Sequence, residues 1–168
     1  MTQIPFHLQL PDIGLGGGLA LWGFRVCAMG GAKCPLTVRG FEEAFGAQGE
    51  RTMASMLAFT KSIGTIGRRK IGLSQPFCRH TTADELSIIA AMAAAQNRDT
   101  SKTRAHLGWL LADRVPQDLV DDLYGLVDVF SRFGMQIKAP DVEVVERTTA
   151  RPDLIVVDSQ QQTLTSSH

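Results

Sequence analysis

The sequence is poor in the features that would assign it to a specialised class of protein. It has three cysteines among 168 residues, which excludes a disulfide-rich scaffold. Lys plus Arg and Asp plus Glu both number 17, so no net charge directs the chain to nucleic acid or to an anionic membrane. The apolar run 13–24 has 12 residues, five of them glycine, whereas a membrane-spanning helix needs about 20 apolar residues.

The same run does not fit a secretory signal. The first positively charged residue, Arg25, follows the run instead of preceding it. We therefore interpret the run as buried chain, or as a Gly-rich loop that leads into a short helix, and expect a cytoplasmic protein with no membrane partner.

The remaining composition is typical of a small globular protein, and its patterns predict an all-α fold. Apolar residues recur at helical spacing over 36–134, which predicts four to five helices. We divide the chain into three parts: a Gly-rich N-terminal segment (1–35) that docks on the core, a helical core domain (36–137), and an extended or disordered C-terminal arm (138–168).

Several residues mark the expected ends of these helices. Thr82 and Glu85 have the spacing of a capping box ahead of an apolar run, which predicts a central helix. Asp99 or Thr100 can cap the next helix, Pro116 is expected at the first position of the last helix, and Gly134 just past its end.

The two ends of the chain have weaker patterns. Alternation of apolar and polar residues over 6–10 indicates a short extended segment. Residues 142–157 are β-prone and predict two short strands or a docked arm, and the polar residues 159–168 are expected to be disordered.

Four residues could hold a metal ion. Cys27, Cys34, Cys78 and His80 lie between the predicted helices, and three thiolates with one imidazole are the ligand set of a structural Cys3His zinc site. A Cys3His iron–sulfur cluster is the second metal hypothesis. Against both, a spacing of six between cysteines is wider than in a zinc knuckle. Buried, inert cysteines and a redox-active or disulfide-forming pair remain alternatives.

Charged residues near these thiols have two interpretations. Arg25 and Arg79 would lower the pKa of a neighbouring thiol, which favours a metal ligand or a reactive thiolate. Asp84 or Glu85 could act as a general base beside a catalytic metal. Helix capping is the stronger interpretation of both carboxylates.

Charge is divided unequally along the chain. Residues 1–80 carry nine Lys/Arg and four Asp/Glu, and residues 81–168 carry eight and thirteen. This division indicates either a basic face that meets an acidic partner or two halves that neutralise each other. The basic residues within 68–79 could contact phosphates, but no helix combines the basic and polar residues of a nucleic-acid reader.

The sequence thus predicts a non-enzymatic interaction or regulatory module that a zinc site could stabilise, with a protein partner or a homodimer. Its apolar helices would present the partner surface, and the stripe on the helix at 119–133 fits either a dimer interface or the core. A thiol- or metal-dependent enzyme using the same Cys/His cluster, and a nucleic-acid-associated regulator using 68–79, are the alternatives.

Overall fold

The computed structural model describes residues 13–140, which form six α-helices and no strand. The helices are α1 (Gly14–Ala28), α2 (Pro35–Phe45), α3 (Gly49–Ile66), α4 (Ala83–Gln96), α5 (Thr100–Leu111) and α6 (Gln117–Arg132), with one 3-10 turn at Gly46–Gln48. The predicted all-α fold is confirmed: five helices lie in the expected region, and the Gly-rich segment adds a sixth. Among these residues no helix is both long and apolar enough to cross a membrane.

Helices α1 and α4 form the interior. Twelve of the 15 residues of α1 are buried, and α4 is buried over nearly its whole circumference, as expected of helices without a polar face. Helix α1 packs on α3 and α4, while α4 also packs on α5 and α6. The prediction of a central helix at α4 is therefore confirmed.

Of the two interpretations of the run 13–24, buried chain is confirmed, whereas a Gly-rich loop before a short helix was wrong, because the run forms most of α1. Glycine disfavours an isolated helix by about 1 kcal/mol per residue relative to alanine, but burial of α1 compensates and its glycines allow close packing. A Cβ atom at Gly23 would lie 2.7 Å from the ring of Phe41, and one at Gly16 would lie 2.5 Å from the carbonyl oxygen of Gln136. Larger residues would force these neighbours apart.

The outer helices are amphipathic, and their apolar sides complete the core. The stripe of α6 is buried in the core from Leu119 to Phe130, whereas Phe133, just past the end of the helix, is 43% exposed. The rings of Phe45 and Phe130 meet at 4.9 Å between centroids. Leu36 in the first turn of α2 is an exception among the apolar residues of the outer helices, since it is 60% exposed.

The predicted helix ends are largely confirmed. The Thr82 hydroxyl accepts a hydrogen bond from the Glu85 amide, and the Glu85 carboxylate accepts one from the Thr82 amide. Asp99 caps α5. Pro116 is the N-cap of α6, one position before the expected site. Gly134 has φ +70° and follows the end of α6 as expected.

An extended segment, residues 134–140, follows α6 and crosses the start of α1; we call it the strap. The Gln96 side chain donates to the Met135 carbonyl (2.9 Å) and accepts from the Ile137 amide (2.7 Å). The side-chain amide of Gln96 thereby pairs with the strap much as a neighbouring strand would.

Some predictions concern residues that the structure does not describe. The extended segment at 6–10, the strands or arm at 142–157 and the disorder at 159–168 all lie outside 13–140. The division into three parts at 35 and 137 also stays a prediction.

Candidate functional site

The longest connection between helices within 13–140 joins α3 to α4 through 16 residues, 67–82, which we call the 67–82 loop. Loops of more than about 12–15 residues without regular structure are uncommon in small domains and are usually functional or disordered. This loop has a defined path because buried charged side chains from α1 and α4 hold its backbone.

Arg25 of α1 is the first of these side chains, and it is fully buried. Its Nε and Nη2 atoms donate to the two carboxylate oxygens of Glu85 at 2.7 and 2.8 Å. The remaining N–H groups donate to loop carbonyls: Cys78 at 2.8 Å, His80 at 3.0 Å and Pro76 at 3.4 Å. All five guanidinium donors therefore have an acceptor.

The carboxylate of Glu85 likewise has all its acceptor positions occupied by hydrogen bonds. Its Oε1 atom accepts from the Ser74 amide at 2.8 Å as well as from Arg25. Its Oε2 atom accepts from the Thr82 amide at 2.9 Å as well as from Arg25. Since a carboxylate has about four acceptor positions, the Arg25–Glu85 ion pair leaves no polar atom unsatisfied and binds both sides of the loop.

Asp84 binds the beginning of the loop. It accepts from the Gly72 amide at 2.7 Å and from the Arg69 guanidinium at 2.6 Å. Arg69 also lies over the ring of Trp109, 4.3 Å from its centroid. The Thr82 hydroxyl donates to the Gly72 carbonyl at 2.6 Å, which closes the loop at its base.

These contacts explain why buried charges are tolerated here. Removing a charge from water costs several kcal/mol, and a buried pair recovers that cost only when further hydrogen bonds satisfy both partners. Each partner of the Arg25–Glu85 pair has such bonds from the loop backbone. The pair therefore determines the path of the loop.

The outer side of the loop is basic and partly apolar. The loop contains four Arg or Lys, one His and no acidic residue. Lys70, Arg79 and His80 are exposed, and Phe77 exposes 65% of its surface. A fixed backbone thus presents cationic and aromatic side chains to solvent.

Known proteins do not identify this site. Comparisons with family models, with curated proteins and with solved structures find no match. The geometry of the loop and of the buried charges below it is therefore the basis for a functional proposal.

The four predicted metal ligands have different environments. Cys27 is buried in α1, Cys34 is exposed at the N-cap of α2, Cys78 is half-buried in the loop and His80 is exposed there. All three cysteines are free thiols. Within the described part of the chain, no three His, Cys, Asp or Glu residues are grouped so that they could hold a metal. The zinc site stays a prediction.

The expectation that Arg25 lowers the pKa of the Cys27 thiol was wrong. Burial raises the pKa of Cys27 to about 11. The guanidinium of Arg25 instead forms an ion pair with Glu85. The sequence analysis misassigned Arg25: a single charge in a helix that is otherwise apolar indicates a buried partner.

The capping interpretation of Asp84 and Glu85 is confirmed. Both carboxylates lie in the first turn of α4, where the helix dipole favours negative charge. The oxygens of both bind the loop, and Glu85 has no accessible surface. In this arrangement neither has the access to solvent that a general base needs to contact a substrate.

Proposed function

We propose that this chain is a non-enzymatic protein-interaction module whose recognition surface is the 67–82 loop. The observation that carries the proposal is the Arg25–Glu85 ion pair. All hydrogen bonds of the two side chains are made either to each other or to the backbone of the 67–82 loop. A loop held in this way loses little conformational entropy when it binds a partner.

The side chains on the loop suit a protein partner. Arginine and aromatic residues are enriched among those that contribute most to protein interfaces. Arg79 and Phe77 are two positions apart in the sequence, and both are exposed. The exposed loop takes the role that the sequence assigned to apolar helices, whose stripes are buried.

Nucleic acid is less well suited to this surface. Two of the four loop cations are already neutralised, Arg68 by Asp113 at 2.7 Å and Arg69 by Asp84 at 2.6 Å. Two remaining charges would release few counterions from a phosphate backbone, so binding would be weak.

Site-specific photo-cross-linking in the host cell tests the proposal. A photoreactive amino acid at Arg79 should give a discrete adduct with another polypeptide, and one at exposed Lys61 on α3 should not. Glu85→Gln should weaken the adduct at residue 79, because the loop loses a buried charge while the helices remain. Equal adducts at residues 79 and 61, or no adduct at either, would refute a recognition role for the loop.

A structural zinc site remains a separate proposal, and it is tested by metal analysis of the purified full chain. If Cys27, Cys34, Cys78 and His80 bind zinc, the protein should contain one zinc per chain. Cys34→Ser should lose it, since that thiol is exposed and its removal leaves the core intact. Metal-free protein that takes up no zinc would end this proposal.

We also propose the cytoplasm as the compartment, where free thiols stay reduced.

A further inference from the structure

The strap lies between the start of α1 and the end of α4 in the way that a bound peptide lies in a groove. Ile137 is 1% exposed and Met135 packs against the core, whereas the residue that follows each of them is exposed. This alternation is typical of an extended backbone, whose successive side chains point to opposite sides. The surface that receives the strap, which we call the strap groove, consists of Ile13, Gly16 and Gln96.

The strap groove contacts the strap mainly through its main chain. On one edge, the side-chain amide of Gln96 binds two main-chain groups of the strap at 2.9 and 2.7 Å. On the opposite edge, the Lys138 amide donates to the Ile13 carbonyl at 3.3 Å. Gly16 leaves room there for the Gln136 carbonyl, which a Cβ atom would displace. Such binding through the main chain is one of the recurring modes of peptide recognition, and the strap of another copy would offer the same groups.

The connection between α6 and the strap is short and lies at the surface. Helix α6 ends directly before Phe133, and Met135 already contacts Gln96, so Phe133 and Gly134 form a hinge of two residues. Both hinge residues are exposed, and Gly134 has φ +70° with nothing within 4 Å of a Cβ position.

Two backbone hydrogen bonds close the hinge. The Gly134 amide donates to the Ser131 carbonyl at 3.0 Å, and the Met135 amide donates to the Phe130 carbonyl at 2.8 Å. Opening the hinge therefore breaks few contacts. Short hinges of this kind favour the exchange of the segment that follows them between two copies of a chain.

We propose that two copies of this chain exchange their straps, so that each strap lies in the strap groove of the other copy. The exchange restores every contact between strap and groove and loses only the two hydrogen bonds of the hinge. This inference is independent of the function proposed for the 67–82 loop, because the strap crosses the start of α1 and the loop is bound to its last turn. The dimer would present two such loops to a partner.

The short hinge also determines the concentration at which the exchanged dimer should form. A segment on a short linker competes for the groove of its own chain at an effective concentration of about 1 mM. The dimer should therefore be a minor species in dilute solution and a major species near about 1 mM protein.

Analytical ultracentrifugation of the full chain over a range of concentrations tests the exchange through variants of the hinge. Gly134→Pro should lower the dissociation constant of the dimer by about tenfold or more, because proline cannot adopt φ +70° and the strap then misses its own groove. Inserting Gly-Ser-Gly after Gly134 should raise it by about tenfold or more, because a longer hinge favours return of the strap to its own groove. The same insertion after Gly30, another exposed glycine of positive φ, should leave it unchanged.

Ile137→Asp distinguishes strap exchange from a dimer that forms through another surface. A charge at this buried position should expel the strap from either groove, so the variant should be monomeric. Leu36→Asp, at a residue that is 60% exposed, is the matched control and should dimerise like the unmodified chain. Circular dichroism should show that Ile137→Asp retains its helices, since residue 137 follows the last of them.

An unmodified chain that stays monomeric up to about 1 mM would overturn the proposal. So would a dimer that Ile137→Asp retains with its helices intact, or hinge variants that fail to shift the dissociation constant in opposite directions. If Ile137→Asp loses helix content, the two hinge variants decide alone. A monomeric chain that still cross-links to another protein at residue 79 would leave the proposed function in place.

Discussion

Arg25 places a charge in the last turn of a helix that is otherwise apolar and largely buried. At the scale of single residues, this guanidinium and Glu85 have the largest consequences for the structure. Together they bind three carbonyls and two amides of the 67–82 loop. Replacing either side chain leaves the other charge buried and its loop contacts broken.

We therefore expect Arg25→Met to lower the free energy of unfolding by about 3–5 kcal/mol, the usual effect of removing one partner from a buried pair. Urea denaturation followed by circular dichroism measures this change. Arg39→Met is the matched control, because the Arg39 side chain is 75% exposed in its ion pair with Glu43; its effect should stay below about 1 kcal/mol. Equal effects of the two substitutions would contradict the assigned role.

The double variant Arg25→Met/Glu85→Met separates this network from a simple ion pair. A simple buried pair can often be replaced by apolar residues without loss of stability. Here the loop carbonyls and amides would lose their partners, so the double variant should remain less stable than the unmodified chain by about 2 kcal/mol or more. A double variant of undiminished stability would show that the loop backbone gains nothing from the pair.

The cysteines should differ in reactivity. Cys27 is 5% exposed, and burial raises its pKa to about 11, whereas Cys34 is exposed. A maleimide reagent at neutral pH should therefore label Cys34 rapidly and Cys27 only when the protein unfolds. Mass spectrometry of the digested protein measures both. Rapid labelling of Cys27 in the folded chain would support a thiol-dependent enzyme instead.

His106 should contribute to the pH dependence of stability. Burial lowers the pKa of His106, and the positive charge of Lys102 lowers it further by a smaller amount. The unfolded chain therefore binds a proton more readily, and the folded chain loses stability as the pH falls below the ordinary histidine value of about 6.5. The variant His106→Gln should lose less folding stability than the unmodified chain as the pH falls below about 6.5, as measured by urea denaturation. An identical loss in both proteins would contradict this assignment.

At the scale of the helices, glycine has opposite effects at different positions. Gly16 of α1 lies against the strap, where a Cβ atom would be 2.5 Å from the Gln136 carbonyl oxygen. Gly64 of α3 has nothing within 4 Å of a Cβ position. The first glycine allows close packing, whereas the second only weakens its helix.

We expect Gly16→Ala to destabilise the protein by about 1–3 kcal/mol through overpacking. Gly64→Ala should stabilise it by about 0.5–1 kcal/mol, because alanine favours the helix and meets no neighbour. Thermal denaturation of both variants should shift the midpoint in opposite directions. A shift in the same direction would show that packing at α1 does not explain its glycines.

Local signals in the sequence predicted much of the helical framework. Capping residues such as Thr82 and Asp99 act within a few positions of the helix they begin, so their roles were readable from the sequence. Helix α1 was missed because its glycines disfavour a helix locally and only tertiary burial stabilises it. The Arg25–Glu85 pair was missed because its partners are 60 residues apart and no local pattern connects them.

At the scale of the whole molecule, charge is separated into a buried part and an exposed part. The buried carboxylates of α4 neutralise Arg25 and Arg69 below the loop, while the acidic residues of α6 remain on the surface. The unequal charge of the two halves of the sequence is thus only partly cancelled inside the molecule.

The most direct measurement of the central claim is hydrogen exchange of the backbone amides in the unmodified chain and in Glu85→Gln. We predict that the Ser74 and Thr82 amides, which donate to Glu85, lose protection in the variant while the α3 and α6 amides keep theirs. The loop would then open as a local unit. Unchanged protection at Ser74 and Thr82 would contradict the claim that the buried ion pair holds the 67–82 loop in place.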